Sequence, residues 1–334
     1  MVLEHIASKA LGSYDLPAPI SLQPLAFGLN AVFDVRAAGS RYVLRVHRSG
    51  YRAAEQIRSE LTFLHAVGFW LAGDPALPEP VADRQGELVV EVDHSGERRL
   101  CSLVTWLDGE SLSVSSGLDG GGVWALGRAL GRLHNASASF RPPTGFALPR
   151  WDAEGMFTAE ASPFRPALGI SDVLESADRA SFDEIAGRAR AAFDSLGKGG
   201  DAYGVAHIDY ILGNCFLRPA ADRPGSWDVG VFDFDDCGWG YFAYDLCTLL
   251  GNLAGYPGPV RDNPAYPELR DAYFAGYRTV RPLPAEWEQL VPLMLAARNA
   301  NHCLLTARPD VSDTPREDAA WRMSMARSCL ELPT

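Results

Sequence analysis

Lysine is almost missing from this chain. Its 334 residues carry 30 basic side chains, and only Lys9 and Lys198 among them are lysines. Against 42 acidic side chains the formal net charge is −12. A deficit of that size argues against DNA or RNA as the main partner, because phosphate backbones need a basic field. Small anions need only a few local donors and stay open. Long apolar runs are missing too: no stretch reaches the roughly 18 uncharged apolar residues that a membrane span needs. The opening MVLEHIASKALGSYDL has no basic start leading into an apolar run, which argues against a signal peptide. Disulfide and zinc patterns are absent as well. Cys101, Cys215, Cys237, Cys247, Cys303 and Cys329 show no Cys-x-x-Cys pair and no metal-type spacing. Most lie in apolar segments, where a buried free thiol is the default, so a reducing, cytoplasmic setting is expected.

What is present reads as a globular chain of two lobes, since domains usually run to about 100–200 residues. Residues 4–13 suit a short helix. After the Pro-rich stretch 17–24, segments 31–39 and 41–48 predict a hairpin around Ala38-Gly39-Ser40. Residues 52–67 place Ile57, Leu61 and Leu64 on one helical face. Segments 87–92 and 100–107 predict further strands. The character changes at Leu107-Asp108-Gly109, which divides the chain into 1–108, rich in strands, and 109–334, mainly helical. In the second part, 123–137 is an amphipathic helix and 150–200 is helical with a Gly stop. Two short strands, near 215–218 and 229–234, flank the turn-forming Pro219–Ser226. From 243 onward the pattern is helical, with Pro-rich loops near 257–267 and 282–284.

The segment with most chemical content is Ala206-His207-Ile208-Asp209-Tyr210-Ile211-Leu212-Gly213-Asn214. An Asp, an Asn five residues later and a His two residues earlier stand just before a short strand. Nineteen residues beyond Asn214 comes Asp233-Phe234-Asp235-Asp236, at the expected end of the next strand. Phosphoryl transfer from ATP needs a carboxylate to orient the acceptor hydroxyl and oxygen ligands for Mg²⁺. Asp209, Asn214 and Asp233 offer those groups on two adjacent loops. The bland alternative makes His207 a core histidine and the acidic run a turn cap.

With its His207–Asn214 segment, the run from Phe232 to Tyr241, Tyr244-Asp245-Leu246, Leu133-His134 and PPTGFALPRWD (142–152), the chain resembles the aminoglycoside phosphotransferase and choline-kinase-like superfamily. The likeness spans roughly 20–300. It is nearest to bacterial phosphotransferases related to the stress-response kinase and homoserine kinase. It implies an α+β, bilobal protein-kinase-like fold, with a β-rich ATP-clamping lobe and a larger helical lobe that carries the acceptor site. ATP would bind between them. By the same resemblance Asp209 would be the catalytic base or hydroxyl-orienting group, with Asn214 and Asp233 binding Mg²⁺. His207 and Asp245 would brace the loops, although Asp245 also reads as a plain helix N-cap. Asp235 and Asp236 are secondary candidates. Gly28 and Asn30 would belong to a phosphate-holding turn. The backbone near Thr105 and Leu107 would meet adenine.

Two departures stand out. The superfamily usually has His-Gly-Asp, and Ile208 replaces that Gly, which changes backbone freedom but not the reacting groups. Kinase-like folds also place a Lys on the third strand, paired with a Glu behind it. No lysine lies between residues 9 and 198, so Arg45 occupies that place and Glu60 is its expected partner. A protein kinase needs a longer activation segment than the dozen residues from Asp233 to Asp245, so a small-molecule kinase is preferred to a stress-response-type Ser/Thr kinase. A nucleotide-binding pseudokinase would be expected to lose Asp209, Asn214 or Asp233. The crowding of Asp209, Asp233, Asp235 and Asp236 points to a divalent cation and, as an extension, a cationic acceptor. Amino alcohols, hydroxy amino acids, sugars and aminoglycosides all remain candidates.

Overall fold

The computed structural model describes residues 2–221, 223, 225–255 and 263–332. Parts of two expected loops, at 222, 224 and 257–262, lie outside them. The chain divides into Met1–Asp108 with Phe140–Leu148, and Gly109–Ser139 with Pro149–Thr334.

The first unit runs α1 (Val2–Leu11), β1 (Ile20–Phe27), β2 (Ala31–Ala37), β3 (Ser40–Val46), α2 (Ala54–Leu71), β4 (Pro80–Val81), β5 (Val90–His94) and β6 (Glu97–Thr105). The strands form one antiparallel sheet in the order β1-β2-β3-β6-β4, with β5 also paired to β6. β1 is an element that the Pro-rich reading of 17–24 did not anticipate. It tolerates Pro24 because it is an edge strand whose register shifts between Pro24 and Ala26. The hairpin turn at Ala38-Gly39 has φ of 43° and 91°, the left-handed pair that a two-residue turn between twisted strands requires.

Side-chain alternation along β3 sorts its residues between two cores. Leu44 and Val46 join Phe33, Val35, Cys101 and Leu103 against Ile6, Ala7 and Ala10 of α1. Val43 points the other way, with Ile57 and Leu61 of α2. Arg45, two residues from Val43, shares that second face.

The second unit contains α3 (Gly120–Ser139), β7 (Arg150–Trp151), α4 (Ala153–Phe157), α5 (Ile170–Val173), α6 (Ser176–Leu196), β8 (Tyr203–Ala206), β9 (Cys215–Pro219), β10 (Trp227–Val231), β11 (Gly238–Tyr241), α7 (Phe242–Leu253), α8 (Tyr266–Arg278), α9 (Ala285–Gln289), α10 (Val291–Thr306) and α11 (Pro315–Leu330). β9 and β10 pair antiparallel, and β7-β11-β8 make a second small sheet. α3 and α8 cross where Gly127 and Gly276 meet the opposite backbone. A Cβ on Gly276 would stand 1.9 Å from the Trp124 carbonyl oxygen. The expected strand 229–234 is shorter than read: β10 stops at Val231, because Asp233 adopts φ 61°, which no strand accommodates. All six cysteines are free and buried. No helix of the described residues is long and apolar enough to cross a membrane.

Candidate active site

The loop from His207 to Asn214 leaves β8 and is fastened to one face of α7. Asp245, in the first turn of that helix, is fully buried. Its Oδ2 accepts the His207 backbone N–H at 2.9 Å and its Oδ1 accepts that of Ile208 at 2.7 Å. One turn on, the Thr248 hydroxyl donates to the Tyr210 carbonyl at 2.8 Å. One further turn on, Asn252 Oδ1 accepts the Leu212 N–H at 3.0 Å. Positions 245, 248 and 252 follow the i, i+3, i+7 repeat of a single helix face, so α7 acts as a ruler for the loop. Asp245 is therefore not the N-cap of α7, a place held by Tyr241.

Behind Asp245, His134 Nε2 lies 3.0 Å from Oδ2, and its Nδ1 lies 2.9 Å from the Tyr277 hydroxyl. A carboxylate only accepts, so Nε2 carries the proton and Nδ1 accepts from Tyr277. Burial lowers the His134 pKa below the ordinary imidazole range, more than the carboxylate restores it. Burial alone would raise Asp245, but the hydrogen bonds from His134 and from the His207 backbone hold it below the usual carboxylate range. The pair is a neutral imidazole against an ionised carboxylate.

Ile208 takes φ 71°, in the left-handed region where a β-branched residue costs about 1–2 kcal/mol. Both of its backbone polar groups are held: the N–H by Asp245, and the carbonyl by Arg298, whose Nη1 donates at 3.0 Å. The next residue, Asp209, is held from two sides. Asn214 Nδ2 donates at 2.9 Å to its Oδ2 and at 2.9 Å to its carbonyl, while Arg298 Nη2 donates to its Oδ1. With Nδ2 turned to Asp209, Asn214 directs its Oδ1 elsewhere. Burial alone would depress the Arg298 pKa, but Asp209 and Tyr244 more than offset it, so the guanidinium stays charged. Burial also pushes the Tyr244 phenol up to about 12.

Phe232 ties the second acidic segment to this loop. Its N–H donates to the Asn214 carbonyl at 3.0 Å, and its carbonyl accepts from His207 Nε2 at 3.0 Å. Phe234 packs on the His207 ring, 4.4 Å between centroids. Asp233 between them is exposed, and Asp235 and Asp236 are half-buried. Among the described residues no group of three or more His, Cys, Asp or Glu side chains is placed to hold a metal ion.

In the first unit, Arg45 Nη1 and Glu60 Oε1 lie 2.9 Å apart, with both side chains largely buried. Asn30 Oδ1 accepts the Arg48 N–H at 3.0 Å, and Gly28 donates its own N–H to the Asn30 carbonyl at 3.0 Å. The Thr105 N–H is spent on the Glu79 carbonyl at 2.8 Å and that of Trp106 on Arg41 at 3.0 Å.

Arg298 and Asn252 escaped the sequence reading. The available signal was Arg298 itself, a single charge within the apolar run of α10. Such a charge has to be paired if it is buried.

A strand-built unit followed by a mainly helical one, with an Asp-x(4)-Asn loop fastened to a helix, defines the kinase-type phosphotransferases. The chain belongs to the phosphotransferase enzyme family, matching it over residues 21–290. It is similar to the homoserine kinase of Hyphomonas neptunium, with 28% identity over 326 residues that cover 94% of this chain and 89% of that one. The solved structure of a microcompartment-associated aminopropanol kinase matches with TM-score 0.77 and 27% identity over 98% of this chain and 95% of the other. The fold of the amicoumacin kinase hAmiN, solved in complex with AMP-PNP, Ca²⁺ and Ami, matches with TM-score 0.76 at 20% identity, over 97% and 93% of the two chains. The chain is thus a phosphotransferase of the small-molecule kinase type.

Proposed function

We propose that this enzyme moves the γ-phosphoryl group of ATP to the hydroxyl of a small molecule, with Mg²⁺ as the divalent ion. One observation carries the reading: the Asp209 carboxylate is gripped by Asn214 and Arg298 in a loop that α7 fixes. A carboxylate fixed in that way can orient the acceptor hydroxyl and accept its proton as the new P–O bond forms.

Asn214 Oδ1 and the Asp233 carboxylate would supply two oxygen donors of the kind that suits a hard ion. Such an ion takes its remaining ligands from phosphates and water. When bound, the ion would neutralise charge on the transferring phosphates. Asp235 and Asp236 add negative charge nearby. His207 and Asp245 hold the two loops in place.

Arg45, presented by β3 and oriented by Glu60, is the candidate contact to the α- and β-phosphates. The turn at Gly28 and Asn30 is a candidate phosphate-facing backbone. For adenine, Leu107 is a better donor than Thr105, whose N–H is already used. The similarity to aminopropanol and homoserine kinases supports an amino alcohol or hydroxy amino acid as acceptor, which agrees with the acidic surplus. Six free cysteines support a reducing, cytoplasmic setting.

The test is ADP release by the purified protein from Mg²⁺·ATP with hydroxyl compounds, beginning with 1-amino-2-propanol and homoserine. Acceptor-dependent turnover that falls by on the order of 10²-fold or more in Asp209→Asn and Asp233→Asn is expected. Full turnover in either variant would overturn the assignment.

A further inference from the structure

Ile208 occupies a backbone conformation that favours glycine, immediately before Asp209. Its N–H is held by Asp245, which belongs to the buried anchor already described. Its carbonyl is held by Arg298, on α10, a helix 90 residues later in the chain. The same guanidinium reaches the Asp209 carboxylate. A largely buried guanidinium such as that of Arg298 carries a desolvation cost and persists where its donors are matched. Here its planar fork spans a main-chain oxygen and a side-chain oxygen of adjacent residues, a pairing that a lysine ammonium cannot reproduce.

We propose that Arg298 is a positioning residue, which locks the Ile208 carbonyl and the Asp209 carboxylate into one rigid unit aimed at the acceptor hydroxyl. The proposal rests on the assignment of Asp209 made above. It explains how the chain keeps an isoleucine where the superfamily usually has glycine: the left-handed backbone is imposed by two partners, not permitted by a missing side chain. It also predicts that Arg298 acts only through Asp209.

The experiment compares Arg298→Met and Arg298→Lys in the wild-type and Asp209→Asn backgrounds, reading steady-state ADP release from Mg²⁺·ATP with 1-amino-2-propanol. Thermal unfolding and a crystal structure of each variant accompany the kinetics. In the wild-type background kcat should fall by on the order of 10²-fold for Arg298→Met, the scale of a roughly 1 Å misplacement, with KM for ATP within about twofold. Arg298→Lys should recover only part of that loss. In the Asp209→Asn background neither change should lower the residual rate further. The crystal structure of Arg298→Lys, which keeps the charge and is the safer variant to fold, should show the Asp209 carboxylate displaced or spread over rotamers. An unmoved carboxylate, an undiminished kcat, or the same fold-loss in both backgrounds would overturn the proposal. Full activity in Asp209→Asn would instead overturn the assignment of Asp209, so the two failures are distinguishable.

Discussion

The two charged arrangements that matter most in this protein are built by opposite means. Arg45 and Glu60 sit in regular structure, one on β3 and one on α2, and the periods of strand and helix turn them toward each other. Asp209 sits in an irregular loop, and distant residues fix its position: Asp245, Thr248 and Asn252 on α7, Arg298 on α10. A side chain placed by periodicity can be exchanged for a similar one without disturbing its backbone. A side chain placed by a web of backbone contacts cannot, because each tie also holds a neighbour. The comparison therefore predicts a graded response to substitution, steep in the loop and shallow in the sheet.

The steepest effect belongs to Asp209→Asn. The amide keeps the shape but loses the ability to accept a proton, so turnover should fall by roughly 10²–10⁴-fold, the usual range for a general base. Equilibrium binding of ATP should stay close to wild type, as read by titration calorimetry. A comparable loss of ATP affinity would mean that Asp209 supports nucleotide binding as well as the transfer step.

Next comes Asp245→Asn, read as stability. Both Asp245 oxygens accept backbone N–H groups, and one also faces His134. An amide can offer only one accepting atom, which leaves a buried donor opposed by another donor. Leaving a buried donor unsatisfied in this way costs about 1–3 kcal/mol. Urea denaturation should show that loss, and a change below about 1 kcal/mol would show that α7 does not fix the loop.

The same anchor sets an acid limit. His134 is neutral in the folded protein with its pKa lowered by burial, and His302 is lowered in the same way, with Arg298 and Arg322 adding to the effect. The unfolded chain takes up these protons first, near its ordinary value of about 6.5. Their contribution is therefore complete above that pH and is lost as pH falls below it. Asp245, with its lowered pKa, adds a loss of the same sign only below about pH 4. Denaturation midpoints at pH 7.5, 6.5 and 5.5 check this, and a flat profile down to 5.5 would contradict it.

The contrast between the two arrangements also explains what the sequence could reveal. The hairpin at Ala38-Gly39, the alternation along β3 and the pairing of Arg45 with Glu60 depend on local periods and turn chemistry, and each can be read from a short window. The spacing of Asp209, Asn214 and Asp233 is likewise local enough to read. Arg298 is not, because its partners lie 89 and 90 positions away and nothing near it in the chain names them. The small sheet β7-β11-β8 was hidden for the same reason, since its strands of two to four residues exist only through each other. Asp233 was misplaced at a strand end because alternation persists through Phe232 and Phe234 although the backbone has already turned.

The shallowest effect should be Arg45→Lys. It restores the residue that kinase-like folds normally carry in this place and keeps a positive charge opposite Glu60. What it gives up is the planar fork, and with it about one charge-assisted hydrogen bond. A bond of that kind is worth roughly 1.5–3 kcal/mol when it is lost outright, and less when an ammonium takes over part of it. KM for ATP should therefore rise by no more than about tenfold, with kcat changed less and thermal stability within a few degrees. The small size of that change is the informative part. If Arg45→Lys were as damaging as Asp209→Asn, periodicity would not be what places Arg45, and the scarcity of lysine in this chain would reflect a requirement for guanidinium geometry at the phosphates. A mild effect would mean that arginine stands there because this sequence uses it for nearly every positive charge, and that strand β3 aims either cation equally well.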